Sequence, residues 1–339
     1  MLRLSENRAE KFAQALDTLR DPEAAFSADM IYSLSDLSAS ELAAFNTVWD
    51  DMAVERRRDL IKRLVETAEM NFEFDFSAII HPALSDADEG VRVAAVDGVL
   101  EDCPLTIIER LLHQAQNDPI SAVRAAAARV LGQFVLAGEL GKLPHDLNLR
   151  LQDTVLALHN NPNEALDVRR RALEALSNCG HDSINDLIRE AYYADELPMR
   201  VSAVFAMGRS YDSVWTPQVL AELDSEQPEL RYEATRAAGE LELRKALPRL
   251  TELAFEDDRE IQEMAIWSLG EIGGSNARQV LNQLASLADE TADDELADAV
   301  MEAQAAANLV GEDVLPLFDF SEYEDDDFFG EDDDPDEDL

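Results

Sequence analysis

Cysteine is nearly missing from this sequence: only Cys103 and Cys179 occur in 339 residues. Two cannot build a disulfide framework, and their scarcity points to a reducing compartment. Long apolar runs are missing as well, since none approaches the roughly 18 residues that a membrane-spanning helix requires. The opening stretch MLRLSENRAEKFAQAL carries Glu6 and Glu10 where a signal peptide needs unbroken apolar residues. A cytoplasmic protein with no membrane partner is expected. Basic residues are the third shortage: 28 Lys and Arg stand against 72 Asp and Glu, a formal net charge of −44. A nucleic-acid backbone would repel such a chain, which argues against direct nucleic-acid binding.

What is present is ample apolar material, 46% of residues, so the acidity does not imply wholesale disorder. Thirteen acidic and no basic residues lie between Asp319 and Leu339, yet the rest of the chain still carries −31. The run EDDDFFGEDDDPDED cannot form a core, and a disordered tail is expected there. Phe318, Phe320, Tyr323, Phe328 and Phe329 set it apart from a purely solubilising tail.

The segments GVRVAAVDGVL, AVRAAAARVLG, DVRRRALEALS, MRVSAVFAMG, LRYEATRAAG and IQEMAIWSLG are copies of one pattern. Anchored on Arg92, Arg124, Arg169, Arg200, Arg231 and Gln262, they recur at intervals of 32, 45, 31, 31 and 31 residues. The long interval predicts an enlarged loop around Leu136–Leu149, where Gly138, Gly141 and Pro144 cluster. The residue before each anchor is apolar, the third after it is always alanine, and the seventh is Val99, Leu131, Leu176, Met207, Ala238 or Leu269. These offsets share one face of a helix, so each segment reads as an amphipathic helix with a fixed buried stripe. The eighth position is small in five of six copies, which fits a helix that ends or one that passes close to a neighbour.

Second families of segments, such as WTPQVLAELDSE and KALPRLTELAFED, place Pro217 and Pro248 at one register near a helix start. Helix, turn, helix at a period near 31 predicts an all-α fold, an α-solenoid of helical hairpins. VERRRDLIKRLVE joins the series if anchored on Arg57, with Leu60, Ile61 and Leu64 on the stripe, and Ser38 with Glu41 predicts a capping box opening its partner helix. The expected organisation is a helical extension over residues 1–37, a solenoid of about seven or eight pairs over 38–311 with divergent ends, and the acidic, aromatic tail over 312–339.

Between roughly Asp75 and Leu309 the chain resembles the HEAT-repeat family, in the short-period form of phycobilisome-lyase-like repeat proteins. The resemblance is carried by a turn Asp or Pro, then Val-Arg, Ala three residues on, and Leu-Gly to close, as in PISAVRAAAARVLG. It implies a scaffold and says little about activity. Deoxyhypusine hydroxylase carries metals on His-Glu pairs in such repeats, but here His81, His113, His145, His159 and His181 precede Pro, Gln, Asp, Asn and Asp. Cys179 with His181 falls short of a four-ligand metal site. No GxxxxGK[ST] loop or GxSxG elbow occurs. Neither a cofactor, a metal nor catalytic residues are expected.

At about 100° per residue, offset 5 from each anchor faces away from the buried stripe: Asp97, Arg129, Glu174, Phe205, Arg236 and Trp267. The two rings stand out among charges, and Tyr232 lies close by at offset 1. The HEAT resemblance would put Phe205, Tyr232, Arg236 and Trp267 on a concave surface, where aromatics with arginine suit an interface. The bland alternative is that neighbouring repeats cover the rings. Together with Phe328 and Phe329 of the tail, these are the candidate partner-binding residues.

The expected function is a non-enzymatic protein–protein interaction scaffold, acting as a monomer, that engages a basic protein through the solenoid face and the acidic tail. An acidic chaperone or nucleic-acid mimic that shields basic proteins is the alternative. A lyase-like accessory enzyme is a remote third.

Overall fold

The computed structural model of this chain describes residues 2–180 and 183–309. Eighteen α-helices and no strand occur among the described residues. α1 (Leu2–Arg20) and the short α2 (Ala28–Tyr32) precede the repeats. Then come α3 (Ala39–Trp49), α4 (Val54–Met70), α5 (Ser77–Ala83), α6 (Glu89–Asp97), α7 (Leu105–Asn117) and α8 (Ser121–Glu139). α9 (His145–Asn160), α10 (Leu166–Leu176), α11 (Ile184–Tyr192) and α12 (Leu197–Arg209) follow. The series closes with α13 (Thr216–Glu222), α14 (Pro228–Glu240), α15 (Leu247–Leu253), α16 (Arg259–Ile272), α17 (Gly274–Thr291) and α18 (Asp294–Leu309). From α3 onward odd and even helices are the first and second members of successive pairs, an all-α solenoid. The chain divides into two compact units, residues 1–237 and 238–339. The predicted tail over 312–339 lies outside the described residues.

Repeat columns become the core. Ala95, Ala127, Ala172, Ala203, Ala234 and Ala265 are all 0% exposed, and the apolar residue before each anchor is buried too. Each fully buried Val, Leu, Ile or Met contributes about 1.5–3 kcal/mol, so a recurring stripe stabilises every pair in the same way. In the first unit the second helices α4, α6, α8, α10 and α12 pack each on the next, and in the second α16 packs on α18. Alanine at the contact lets the backbones approach.

The eighth position marks close passage at Gly132, Gly239 and Gly270, and it also falls at or next to the helix end at Ser177, Gly208 and Gly239. A Cβ on Gly132 would lie 3.1 Å from Ala175 Cα, and one on Gly270 would lie 2.9 Å from both Ala303 Cα and its carbonyl oxygen. Both helices continue beyond their glycine.

Several local expectations hold. Ser38 and Glu41 form the capping box, the Glu41 carboxylate accepting from Ser38 N–H at 2.8 Å. Pro217 and Pro248 sit in the first turns of α13 and α15, each preceded by a 3₁₀ turn. Leu60, Ile61 and Leu64 are buried on α4.

The long interval between Arg124 and Arg169 is not an enlarged loop. α8 runs for 19 residues and α9 for 16, joined by a short turn through Gly141. Phe134, Val135 and Ala137 continue the apolar pattern past Gly132 and are buried, so the helix has reason to carry on.

Candidate partner-binding face

The anchor arginines set the second helices in place. Arg92 donates through Nε and Nη2 to the two carboxylate oxygens of Asp118 at 2.9 and 3.0 Å, and through Nη1 to the Asp86 carbonyl at 2.9 Å. Asp86 in turn accepts on its side chain from Arg57 at 3.1 Å. Arg124 repeats the pattern one pair later, donating to the Asp118 carbonyl at 2.6 Å and to both oxygens of Glu164 at 3.1 and 2.7 Å. Asp86 and Asp118 therefore each hold two arginines, one on the side chain from the preceding pair and one on the main chain from their own. The result is a ladder of charge-assisted bonds between neighbouring turns.

Arginine triplets are committed internally. Arg56 donates to the Thr18 carbonyl in the last turn of α1 and to the Pro22 and Ala24 carbonyls beyond it, and Arg58 makes two 2.6 Å bonds to Asp88. Arg170 pairs with Asp167 at 2.7 Å, and Arg171 with Glu174 at 2.6 Å.

Outward residues of successive second helices meet one another. Arg129 of α8 pairs with Asp97 of α6 at 2.5 Å. Glu174 departs from its expected outward, solvated position: only 7% exposed, it accepts from Arg171 and, at 2.5 Å, from Ser202 Oγ on α12. A buried carboxylate needs such donors. The Arg236 guanidinium lies 4.1 Å from the centre of the Phe205 ring and donates to the Phe205 carbonyl at 3.0 Å. Arg209 approaches the same ring at 5.9 Å, giving cation–π contact from two arginines.

Phe205 and Arg236 are thus brought together within the first unit, both half-buried, with Tyr232 half-buried on α14. Trp267 belongs to the second unit. It is 38% exposed, with its ring against Gly239, where a Cβ would come within 2.8 Å of Trp267 Cζ3. Phe328 and Phe329 lie outside the described residues. The Glu174–Ser202 contact was missed by sequence reasoning, and no column of the repeat signals it, since Ser202 is the one hydroxyl at offset 2 among the six copies.

Residues 216–305 match the family model for HEAT repeats. That stretch is built of HEAT repeats. The comparison with curated proteins gives no match. Among solved structures, this chain is similar to the CpcE–CpcF complex of phycocyanin lyase from Nostoc sp. PCC7120, at 15% identity and a TM-score of 0.45 over 68% of this chain and 93% of that one. It is also similar to human deoxyhypusine hydroxylase, at 13% identity and a TM-score of 0.33 over 90% and 98% of the two chains. Importin beta matches at 14% identity and a TM-score of 0.40 over 88% of this chain and 46% of that one.

No group of three or more His, Cys, Asp or Glu side chains converges to hold a metal ion among the described residues, and His181 lies outside them. Burial pushes the Cys179 thiol up to about 12, with Glu139 adding to the effect, and burial lifts Cys103 to about 11. Both thiols stay protonated at neutral pH, the form that is a poor nucleophile and metal ligand. No helix among the described residues is long and apolar enough to cross a membrane.

Proposed function

We propose that this chain is a non-enzymatic interaction scaffold, monomeric and cytoplasmic, that engages a basic protein through the outward residues of its second helices. Residues 312–339 serve as an acidic arm in this reading. The observation that carries it is the exposure of Trp267 in the second unit, and it is supported separately in the first unit by the half-buried Phe205 framed by two arginines. Aromatic and arginine side chains concentrate binding energy at protein interfaces. A formal charge of −44 would draw in a basic partner over long distances, and the arm would raise the frequency of encounter. The absence of a catalytic role is supported by the commitment of the arginines to structural carboxylates and by the protonated thiols.

Affinity capture with the full chain at low and at high salt, read by mass spectrometry, tests the proposal. Enrichment of basic proteins that fades with salt is the expected result. Enrichment of acidic or neutral proteins alone would overturn it.

A further inference from the structure

The first unit contains a groove across three second helices, and it arises from a mismatch in their sizes. α6 has nine residues and lies beside α4 with 17 and α8 with 19. Of the α6 residues that line the groove, Glu89 stands at its edge, and Gly90, Val93, Ala94 and Asp97 follow the i, i+3, i+4, i+7 spacing of one helix face, three of these four being small and uncharged. A short helix with so little bulk, set between two long ones, leaves a trough of about 560 Å³. Arg58 of α4 folds over Gly90, in space that a side chain there would occupy.

The charges around this trough are unequally satisfied. Arg58 is held by Asp88 through two bonds, with Glu89 3.6 Å away, and Arg129 is held by Asp97. Glu66 and Glu69 also line it, one turn apart on the exposed side of α4. Among the described residues neither makes a hydrogen bond or ion pair, and like charges at this spacing repel. Lys62, one turn before Glu66, also lines the trough and pairs with neither. The apolar floor of Val93, Ala94 and Val65 thus runs beside a carboxylate pair with no cation in contact.

We propose that this groove receives a lysine- or arginine-bearing segment of a partner protein, with the cations at Glu66 and Glu69 and small apolar side chains on the floor. The proposal rests on the basic-partner reading above and assigns it a place. Charge complementarity carries it: the arginines on the walls are already neutralised, the acidic lining residues Glu66, Glu69, Glu89 and Asp97 outnumber the basic Arg58, Lys62 and Arg129, and the field of the whole chain favours a cation.

The test uses the full chain with a fluorescent dodecapeptide of alternating lysine and alanine, and a glutamate–alanine counterpart. Fluorescence anisotropy should show the lysine peptide bound and the glutamate peptide not. E66K/E69K should weaken the lysine peptide by about tenfold, as should A122R, which fills the trough from α8. Both variants alter exposed positions, and unchanged melting confirms that they fold. Hydrogen exchange with the lysine peptide present should show protection on α4, α6 and α8. Unchanged affinity in the folded variants, or protection only elsewhere, overturns the groove and leaves the basic-partner reading standing. Equal binding of the two peptides, or none of either, overturns that reading and the groove with it.

Discussion

His159 and Arg169 clasp one another across the turn between α9 and α10: the imidazole Nδ1–H donates to the Arg169 carbonyl at 3.0 Å, and Arg169 Nε donates to the His159 carbonyl at 3.1 Å. This exchange takes the place that the carboxylate rungs hold at Arg57, Arg92 and Arg124. His159 is buried, and burial holds its pKa below the ordinary 6.5, with the nearby Arg169 charge acting in the same direction.

The clasp makes stability sensitive to mild acid. Below about 6.5 the unfolded chain takes up a proton at this histidine while the folded chain resists it, so stability is full above that pH and falls beneath it. One such group gives a slope of up to about 1.4 kcal/mol per pH unit. Burial lowers His81 too, and it adds to the same window. Urea unfolding at pH 7.5 and 5.5 should show a loss at the lower pH that shrinks in H159N, which keeps a donor but cannot be protonated. A loss of the same size in H159N would place the effect elsewhere.

The arginine ladder should be cooperative. The Arg92 and Asp118 side chains are only 12% and 7% exposed, so removing either leaves the other poorly solvated. R92A and D118A should each cost about 2–4 kcal/mol in urea unfolding, with a coupling of about 1–3 kcal/mol in the double-mutant cycle. R92K should recover little, because lysine cannot make the paired contact. Additive single effects would show that the rung is incidental.

Arg58 controls the acid titration of Asp88. Its hydrogen bonds hold the carboxyl down to about 2, below the ordinary 3.8, with the Val91 N–H assisting. The stabilisation is complete above 3.8 and is lost as pH falls through 2. Carboxyl-carbon NMR should find Asp88 returning toward its ordinary value in R58Q. A value that stays near 2 would assign the effect to the backbone donors alone.

Close helix passage predicts an intolerant glycine. G270A puts a methyl 2.9 Å from Ala303 Cα and its carbonyl oxygen, and should cost about 1–3 kcal/mol by thermal or urea unfolding. A303G should not rescue it, since the obstruction is backbone. Full rescue would mean that the two side chains alone are in conflict.

Period and stripe were legible because burial acts on every copy alike: the alanine column could be read directly as the line of closest helix contact. Lateral contacts were not. Glu174 reads as solvated from its own helix, and only Ser202 and Arg171 around it explain its burial. Arg236 and Phe205 are 31 residues apart, and no local pattern announces that one covers the other. The extra residues before Arg169 were misread because glycine and proline signal a turn without saying how far the flanking helices run. The groove over α6 escaped for a related reason, since it depends on the lengths of three helices taken together.

In the proposed function, Trp267 belongs to the surface that binds a basic protein. The most direct measurement is the affinity of a basic protein recovered by low-salt capture for the full chain and for W267A, with melting of both. W267A should lose about tenfold or more in affinity, the scale of a hot-spot residue, with melting shifted by only a few degrees as suits a partly exposed ring. Unchanged affinity with a large fall in melting temperature would contradict it and make Trp267 a packing residue against Gly239.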